Sequence, residues 1–109
     1  MKKVGGSDMK IMLVCAAGIS TGILMNKMKK WAEKNGEDLE VKAYGVGEYD
    51  NYYKDYDCIL VGPQMSYKTN EIMQMVGNMP VGQINPMDYA IGNVDNIIKS
   101  VKLLIQKGE

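Results

Sequence analysis

Cys15 is the residue of this chain whose type and surroundings point most directly to chemistry. It follows the apolar run 11–14 and precedes a segment of small and hydroxyl-bearing residues that leads into a helical pattern. That segment is Ala16, Ala17, Gly18, Ile19, Ser20, Thr21 and Gly22. A thiol between the end of a strand and the start of a helix faces backbone N–H groups and the positive end of the helix dipole. Such a place stabilises a thiolate, or a phosphoryl group carried on the sulfur, so we predict a reactive thiol rather than a core cysteine.

The charged residues restrict the chemistry in which Cys15 could take part. The sequence has 13 basic and 13 acidic residues and no histidine, and all 13 basic residues are lysine. It therefore contains no imidazole to act as a base or metal ligand, and no guanidinium fork to grip a phosphate. The balanced charge also argues against a nucleic-acid surface. We predict no metal site, no cofactor and no nucleic-acid partner.

The two cysteines, Cys15 and Cys58, fit a reduced cytoplasmic protein better than a disulfide scaffold. No run approaches the ~18 apolar residues of a membrane span, so no membrane insertion is expected. The start of the chain resembles a lipoprotein signal only superficially, because the apolar run is short and Val14 is bulky where cleavage needs a small residue. We predict that residues 1–8 are an added or disordered leader and that residues 9–109 form one domain.

Short apolar runs alternate with helical patterns along the chain, which indicates an α/β fold. Strands are predicted at residues 11–15, 40–44, 58–61 and 81–84. Helices are predicted from Ser20 or Thr21 to residue 35, over residues 68–77 and over residues 93–107. We expect an open parallel sheet of four strands in the order 2-1-3-4, with helices on both faces.

Helical spacing also predicts which side chains face the core. The predicted apolar stripe of the first helix is Leu24, Met28 and Trp31, with Ile23 and Ala32 beside it. The apolar residues that mark the second helix are Ile72, Met75, Val76 and Met79, and the last helix is expected to bury Ile97, Ile98, Val101, Leu104 and Ile105. Four tyrosines, Tyr49, Tyr52, Tyr53 and Tyr56, have the spacing of one helical face, and we interpret them as core packing of a short helix.

The expected topology brings three loops to one edge of the sheet. Right-handed crossovers place every strand-to-helix loop at the carboxyl edge, where open α/β sheets bind ligands. The loops are residues 15–22, 62–67 and 85–92. Cys58 instead starts its strand at the opposite edge, too far from Cys15 for a disulfide, so we predict that Cys58 belongs to the core.

Several thiol or phosphate chemistries fit the loop that Cys15 opens. It lacks the lysine of a Walker phosphate loop. Low-molecular-weight tyrosine phosphatases and arsenate reductases have a similar strand-loop-helix turn, but with an arginine where this chain has Thr21. Asp88 is the single acid in the other two loops, and nothing in the sequence marks it as a general acid. The loop therefore suits a phosphoryl carrier, and the alternatives are a thiol phosphatase or arsenate reductase and a flavodoxin-like binding module.

Two longer runs carry a resemblance to a known family. Residues 9–22, and residues 57–67 with Gly-Pro-Gln at 62–64, resemble the enzyme IIB component of the bacterial sugar phosphotransferase system, of the lactose/cellobiose (chitobiose) type. The likeness continues through Pro80-Val81 and residues 88–90 and extends to the C-terminus. One departure lies in residues 85–90, where relatives often have an aspartate soon after the strand and a glycine after the tyrosine, so the role of the third loop stays open.

The resemblance implies a relay of phosphoryl groups and a fold similar to that of the low-molecular-weight tyrosine phosphatases. A phosphohistidine on a IIA partner would donate to Cys15, which would pass the group to a β-linked disaccharide such as cellobiose, lactose or chitobiose held by the membrane IIC component. The backbone N–H groups of residues 16–22 and the hydroxyls of Ser20 and Thr21 would bind the phosphoryl group. The candidate partner contacts are Gly62, Pro63, Gln64, Met65, Asp88 and Tyr89.

Overall fold

Strands and helices alternate along the chain, as the apolar pattern predicts. The structure is a computed structural model that describes residues 9–15 and 22–108. Its strands are β1 (Met9–Cys15), β2 (Leu39–Gly45), β3 (Cys58–Val61) and β4 (Val81–Gln83). Its α-helices are α1 (Gly22–Asn35), α2 (Thr69–Val76), α3 (Pro86–Ile91) and α4 (Val94–Gly108). Three short 3-10 helices cover Tyr49–Asn51, Tyr53–Asp55 and Pro63–Lys68.

The four strands form one parallel sheet in the order β2-β1-β3-β4, which confirms the predicted topology. The central strand β1 pairs with β2 along its full length and with β3 from Ile11 to Val14. Each connection therefore crosses one face of the sheet, and every strand ends at the same edge.

Alternate residues of the central strands supply two separate cores. Ile11 and Leu13 of β1 pack with residues of α1 and α4 on one face of the sheet, and we call this group the first cluster. Met12 and Val14 pack on the other face with residues of α2 and two tyrosines, and we call that group the second cluster. Because both faces of β1 are covered, its sequence is a continuous apolar run rather than an alternating one.

The four tyrosines do not form the single short helix that their spacing predicts. The core packing predicted for them is confirmed in part. The chain forms two 3-10 helices, with Tyr52 between them at φ −128°. Tyr49 and Tyr56 are buried in the second cluster, and the Tyr56 hydroxyl lies 3.1 Å from that of Tyr44. Tyr52 stacks on Tyr44 at 4.9 Å between ring centroids and is 45% exposed. The four tyrosines therefore do not form one helical face.

Two residues of the apolar patterns that predict α1 and α2 are exposed. Ile23 of α1 is 75% exposed and Met75 of α2 is 51% exposed. Each precedes a buried residue, Leu24 or Val76, and neighbouring residues on a helix point about 100° apart. Only one residue of each pair can therefore face the sheet.

None of the helices in residues 9–15 and 22–108 is long and apolar enough to cross a membrane. The predicted leader, residues 1–8, lies outside the described residues, as do the predicted helix caps Ser20 and Thr21.

Cys58 belongs to the first cluster and has no exposed surface, as predicted for a core cysteine. It pairs with Ile11, four residues before Cys15 on β1, and no disulfide joins Cys58 to Cys15. Burial raises the pKa of the Cys58 thiol from 9.0 to about 12, with a further contribution from the Asp57 carboxylate. The Cys58 thiol is therefore held in its neutral form.

We expect this thiol to make the protein less stable as the solution becomes alkaline. Above pH 9 the unfolded chain loses the Cys58 proton, whereas the folded chain keeps it up to a pH near 12. The free energy of unfolding should therefore fall by about 1 kcal/mol between pH 9 and 10 because of this group. Urea denaturation at several pH values would measure the fall.

The matched variants are Cys58→Ala, which should lack this part of the pH dependence, and Cys15→Ala, which should retain it. Tyr49 and Tyr56 also have raised pKa values because they are buried, so they add to the fall from pH 9 to 10. Their contribution is common to all three proteins, so the difference between wild type and Cys58→Ala isolates the thiol. An equal slope in Cys58→Ala and wild type would contradict the prediction.

Candidate functional site

Cys15 lies where β1 ends, beside the Gly-Pro-Gln loop. It pairs with Gly45 on β2, and the last pair between β1 and β3 joins Val14 and Val61. The next residue on that side is Gly62, whose backbone N–H donates a hydrogen bond of 2.9 Å to the Val14 carbonyl. The parallel register therefore sets Gly62 beside Cys15 at the carboxyl edge.

The side-chain direction of Cys15 follows from the alternation of β1. Cys15 comes two residues after Leu13, so it shares the face of the sheet on which α1 and α4 pack. Cys15 has no exposed surface. The loop residues Ala16, Ala17, Gly18, Ile19, Ser20 and Thr21, predicted to bind phosphate, lie outside the described residues. Gly22 is described and begins α1.

Gly62 is buried, and its lack of a side chain makes room at this edge. Its φ of −64° and ψ of 153° are open to any residue, so the requirement is space. A Cβ at this position would lie 2.9 Å from Oε1 of Gln64, 3.5 Å from the Val14 carbonyl oxygen and 4.0 Å from the Cys15 Cβ. The first of these distances is too short for real atoms, so the Gln64 amide occupies the space that a Cβ would need.

A hydrogen bond joins the second and third loops above this point. Nε2 of Gln64 donates to the Tyr89 hydroxyl at 3.3 Å. The half-buried Tyr89 packs against the first cluster, whereas Gln64 is exposed. The two loops that the topology predicts to meet therefore do so through these two side chains.

The short helix α3 carries Tyr89 and lies within the segment predicted as a loop. Oδ1 of Asn85 accepts hydrogen bonds from the backbone N–H groups of Met87 at 2.8 Å and Asp88 at 3.3 Å. Pro86 occupies the first turn, where its fixed φ favours a helix and its missing N–H costs nothing. Gly92 ends α3 at φ +68°, in the left-handed conformation that favours glycine.

Two of the candidate partner contacts have other roles in the structure. The Met65 side chain is buried in the second cluster, so we leave it out of the partner surface. Both carboxylate oxygens of Asp88 accept hydrogen bonds from the Asn96 side-chain amide, at 3.1 and 3.3 Å. Asp88 thus ties α3 to α4 and borders an open cleft of about 280 Å³ between β4 and α4. Of the other candidates, Pro63 begins the 3-10 helix after β3.

A smaller cleft of about 220 Å³ separates the first turns of α1 from α3. Ile23, Lys27, Tyr89 and Gly92 are among the residues that line it. The Lys27 side chain lies across Gly92, where an added Cβ would be 2.7 Å from Nζ. The cleft therefore combines apolar walls with one cation at the end of the sheet where β1 leads into α1.

Exposed apolar side chains surround this edge, and none of them is among the site residues predicted from the sequence. Ile23, Tyr67, Met87 and Ile91 are each at least 60% exposed. The sequence pattern places Ile23 beside the apolar stripe of α1, and Met87 and Ile91 lie on α3, in a segment predicted as a loop. Ile23 could have been identified as an exposed apolar residue because it lies next to a core residue on the same helix.

The sequence matches the model of a known family over most of its length. That family is described as "PTS system, Lactose/Cellobiose specific IIB subunit", and the match covers residues 10–100. The matched region includes Cys15, the Gly-Pro-Gln loop and α3.

Curated relatives carry names of the same kind. A galactose-specific EIIB component from Lactococcus lactis subsp. cremoris is 31% identical over 106 residues, which cover 91% of this chain and 98% of the relative. An oligo-beta-mannoside-specific EIIB component from Bacillus subtilis is 35% identical over 86 residues, which cover 77% of this chain and 84% of the relative. A lactose-specific EIICB component from Staphylococcus epidermidis is 31% identical over 64 residues, which cover 59% of this chain and 11% of the relative.

The fold is also that of a solved structure. A cellobiose-specific phosphotransferase IIB component protein from Borrelia burgdorferi superposes with a TM-score of 0.80 at 23% identity, covering 97% of this chain and 98% of that one. At this identity the likeness concerns the fold alone.

We expect the cap at Asn85 to contribute to stability. Replacing Asn85 by Ala removes the acceptor for two backbone N–H groups and should lower the free energy of unfolding by about 1 kcal/mol. Chemical denaturation would measure the loss. Asn70→Ala, at an exposed position of α2, is the matched control and should change the stability by less than about 0.5 kcal/mol. Equal effects of the two substitutions would show that the cap is not responsible.

Proposed function

Because the chain belongs to the lactose/cellobiose-specific IIB subunit family of the sugar phosphotransferase system, we propose that Cys15 is the residue that carries the phosphoryl group. The protein is the IIB phosphotransferase component of a system for lactose- or cellobiose-type sugars. The observation that carries the proposal for Cys15 is its position inside the matched region, at the carboxyl end of the central strand and beside Gly62.

The proposed chemistry consists of two displacements at phosphorus. In the first, the Cys15 thiolate forms a P–S bond while the P–N bond of a phosphohistidine on the IIA partner breaks, and the electron pair stays on the imidazole nitrogen. In the second, a sugar hydroxyl oxygen forms a bond to phosphorus while the P–S bond breaks, and sulfur keeps the electron pair. The thiol proton leaves to solvent before the first step, and the hydroxyl proton leaves to a base outside this chain.

The phosphate-binding residues belong to the same proposal. The backbone N–H groups of residues 16–22, with the hydroxyls of Ser20 and Thr21, would surround the phosphoryl oxygens next to the N-terminus of α1. Donors at a helix N-terminus favour a group that carries two negative charges. Gly22 begins α1, which supports this arrangement.

Retention of the phosphoryl group distinguishes a carrier from a phosphatase. The chain has no arginine to stabilise the transition state of hydrolysis. Asp88 is the single acid in the loops 62–67 and 85–92. Its carboxylate accepts both hydrogen bonds of the Asn96 amide group and ties α3 to α4. These observations favour transfer between proteins over hydrolysis.

The partners follow from the family. A IIB subunit works with a IIA protein and a IIC transporter, and the S. epidermidis relative carries the letters of both C and B components in its name. We infer that the phosphorylated IIA is the donor and that the sugar bound by IIC is the acceptor. The cytoplasmic location is part of this proposal, and the absence of a disulfide between Cys15 and Cys58 supports it.

We further propose a β-linked disaccharide, of the cellobiose, lactose or chitobiose kind, as the transported sugar. The relatives are named for galactose, oligo-beta-mannoside and cellobiose, and the family description names lactose and cellobiose. β-linked sugars are the class that most of these names share.

Phosphoryl labelling tests the role of Cys15. On incubation with phosphorylated IIA of a lactose/cellobiose-type system, the wild-type protein should gain the mass of one phosphoryl group, located at Cys15 by peptide mass spectrometry. Cys15→Ser should lose labelling by about 100-fold or more, because an alcohol is far less nucleophilic than a thiolate at neutral pH.

Cys58→Ser is the matched control, since it removes the other thiol of the chain, and it should be labelled as wild type. A phosphoryl group on Cys58, or equal labelling of wild type and Cys15→Ser, would overturn the proposed role.

The sugar proposal is tested with separate membrane vesicles that contain IIC transporters for cellobiose, lactose, chitobiose, galactose, glucose or mannitol, each supplied with its own sugar. With phosphorylated IIA, this chain should serve the IIC transporters of the three β-linked disaccharides about tenfold faster than those of glucose or mannitol. Product formation is followed by mass spectrometry, with Cys15→Ser as the blank. Phosphorylation of free galactose alone would show that the sugar class is wrong while leaving the carrier role in place.

A further inference from the structure

The Gln64 amide and Cys15 flank one small space beside Gly62. A Cβ on residue 62 would lie 2.9 Å from Oε1 of Gln64 and 4.0 Å from the Cys15 Cβ. Glycine leaves this space to the amide, which therefore lies next to the end of β1 although Gln64 is exposed. Among the described residues, Gln64 supplies the polar side-chain group that lies at this space.

An exposed glutamine needs a restraint to keep such a position. Fixing its rotamers costs side-chain entropy, which a long glutamine side chain has in plenty. One restraint is the backbone, because the Met65 N–H bonds the Gly62 carbonyl at 2.9 Å and the Met65 side chain is buried directly after Gln64. The other is the 3.3 Å hydrogen bond from Nε2 of Gln64 to the Tyr89 hydroxyl.

Tyr89 is itself held from two directions. Its ring packs against the first cluster, and its backbone N–H donates to the Asn85 carbonyl at 2.9 Å inside the capped helix α3. The hydroxyl therefore gives the Gln64 amide a fixed partner, and the third loop acts on the second through this contact.

We propose that Gln64 and Tyr89 are positioning residues for phosphoryl transfer at Cys15, and that they act as one unit through the space beside Gly62. This inference rests on the proposed role of Cys15. In this proposal the amide, which shares the space beside Gly62 with the end of β1, limits the directions from which the sulfur is reached. In-line displacement at phosphorus is sensitive to such limits, and a misplacement of about 1 Å can cost as much as 100-fold in rate.

The structure offers three ways to disturb the unit. Tyr89→Phe removes the hydroxyl, Gln64→Ala removes the amide, and Gly62→Ala places a methyl group where the amide oxygen lies. The methyl clashes with the far end of a flexible side chain, so Gly62→Ala displaces the amide without forcing the backbone to move. The matched controls are Tyr52→Phe, Gln74→Ala and Gly47→Ala, at exposed or open positions outside the three loops.

Two readouts are compared for each variant. The first is kcat and KM for transfer from phosphorylated IIA, measured by rapid quench. Each of the three substitutions should lower kcat about tenfold and leave KM within about twofold, because the contact aligns the sulfur rather than binding the donor. The double variant Tyr89→Phe/Gln64→Ala should be no slower than the slower single variant, since both remove the same restraint.

The second readout is alkylation of Cys15 by iodoacetamide, which needs no partner protein. Cys15 has no exposed surface in the structure, so freeing or removing the amide should raise its alkylation rate about threefold in Tyr89→Phe and Gln64→Ala. Transfer and alkylation of Cys15 would then change in opposite directions. A general loss of stability would raise the alkylation of the buried Cys58 as well, so the rate at Cys58, which should stay unchanged, is the control.

Additive losses in the double variant, a change confined to KM, or variants equal to their controls would overturn the inference. A change confined to KM would make Gln64 and Tyr89 docking contacts instead. If wild type accepts no phosphoryl group while alkylation still rises in both variants, the proposed function fails and the positioning of Cys15 by this unit stands.

Discussion

The hydrogen bond from the Gly62 amide to the Val14 carbonyl is the constraint on which the site depends. It extends the pairing of β1 and β3 by one residue and so brings the Gly-Pro-Gln loop against Cys15. Everything further out follows from that register: the glycine leaves a space, the Gln64 amide fills it, and Tyr89 reaches the amide from α3. A shift of the register by one residue would turn Cys15 to the other face of the sheet and away from these groups.

The sheet could be predicted because strands that are covered on both faces have unbroken apolar sequences. β3 begins and ends where its sequence predicts, and β1 is longer by two residues. Elements that owe little to periodic burial were missed. α3 has six residues and no buried side chain, and it depends on the Asn85 cap and Pro86 rather than on an apolar stripe. The tyrosines have helical spacing, but Tyr52 interrupts the helix.

For the site, the sequence predicts which segments meet but not how their side chains are arranged. The ends of β1 and β3 bring Cys15 and the Gly-Pro-Gln loop together, and this follows from parallel topology alone. The contact between Gln64 and Tyr89 spans 25 residues and depends on the angle at which α3 leaves the sheet. Local sequence also does not reveal that Asp88 turns to Asn96, or that Met65 turns inward next to an outward-facing Gln64.

One peptide bond connects the second cluster to the site, because Met65 belongs to the cluster and the preceding residue, Gln64, belongs to the site. Met65 shares its core with Val14, Ile72 and Val76, so a change of volume at any of them shifts the backbone from which Gln64 extends. Substitutions in this core are therefore under two kinds of selection, one for the stability of the fold and one for the rate of phosphoryl transfer. Substitutions at these four positions are expected to covary, with methionine, the most adaptable of them, absorbing the changes of its neighbours.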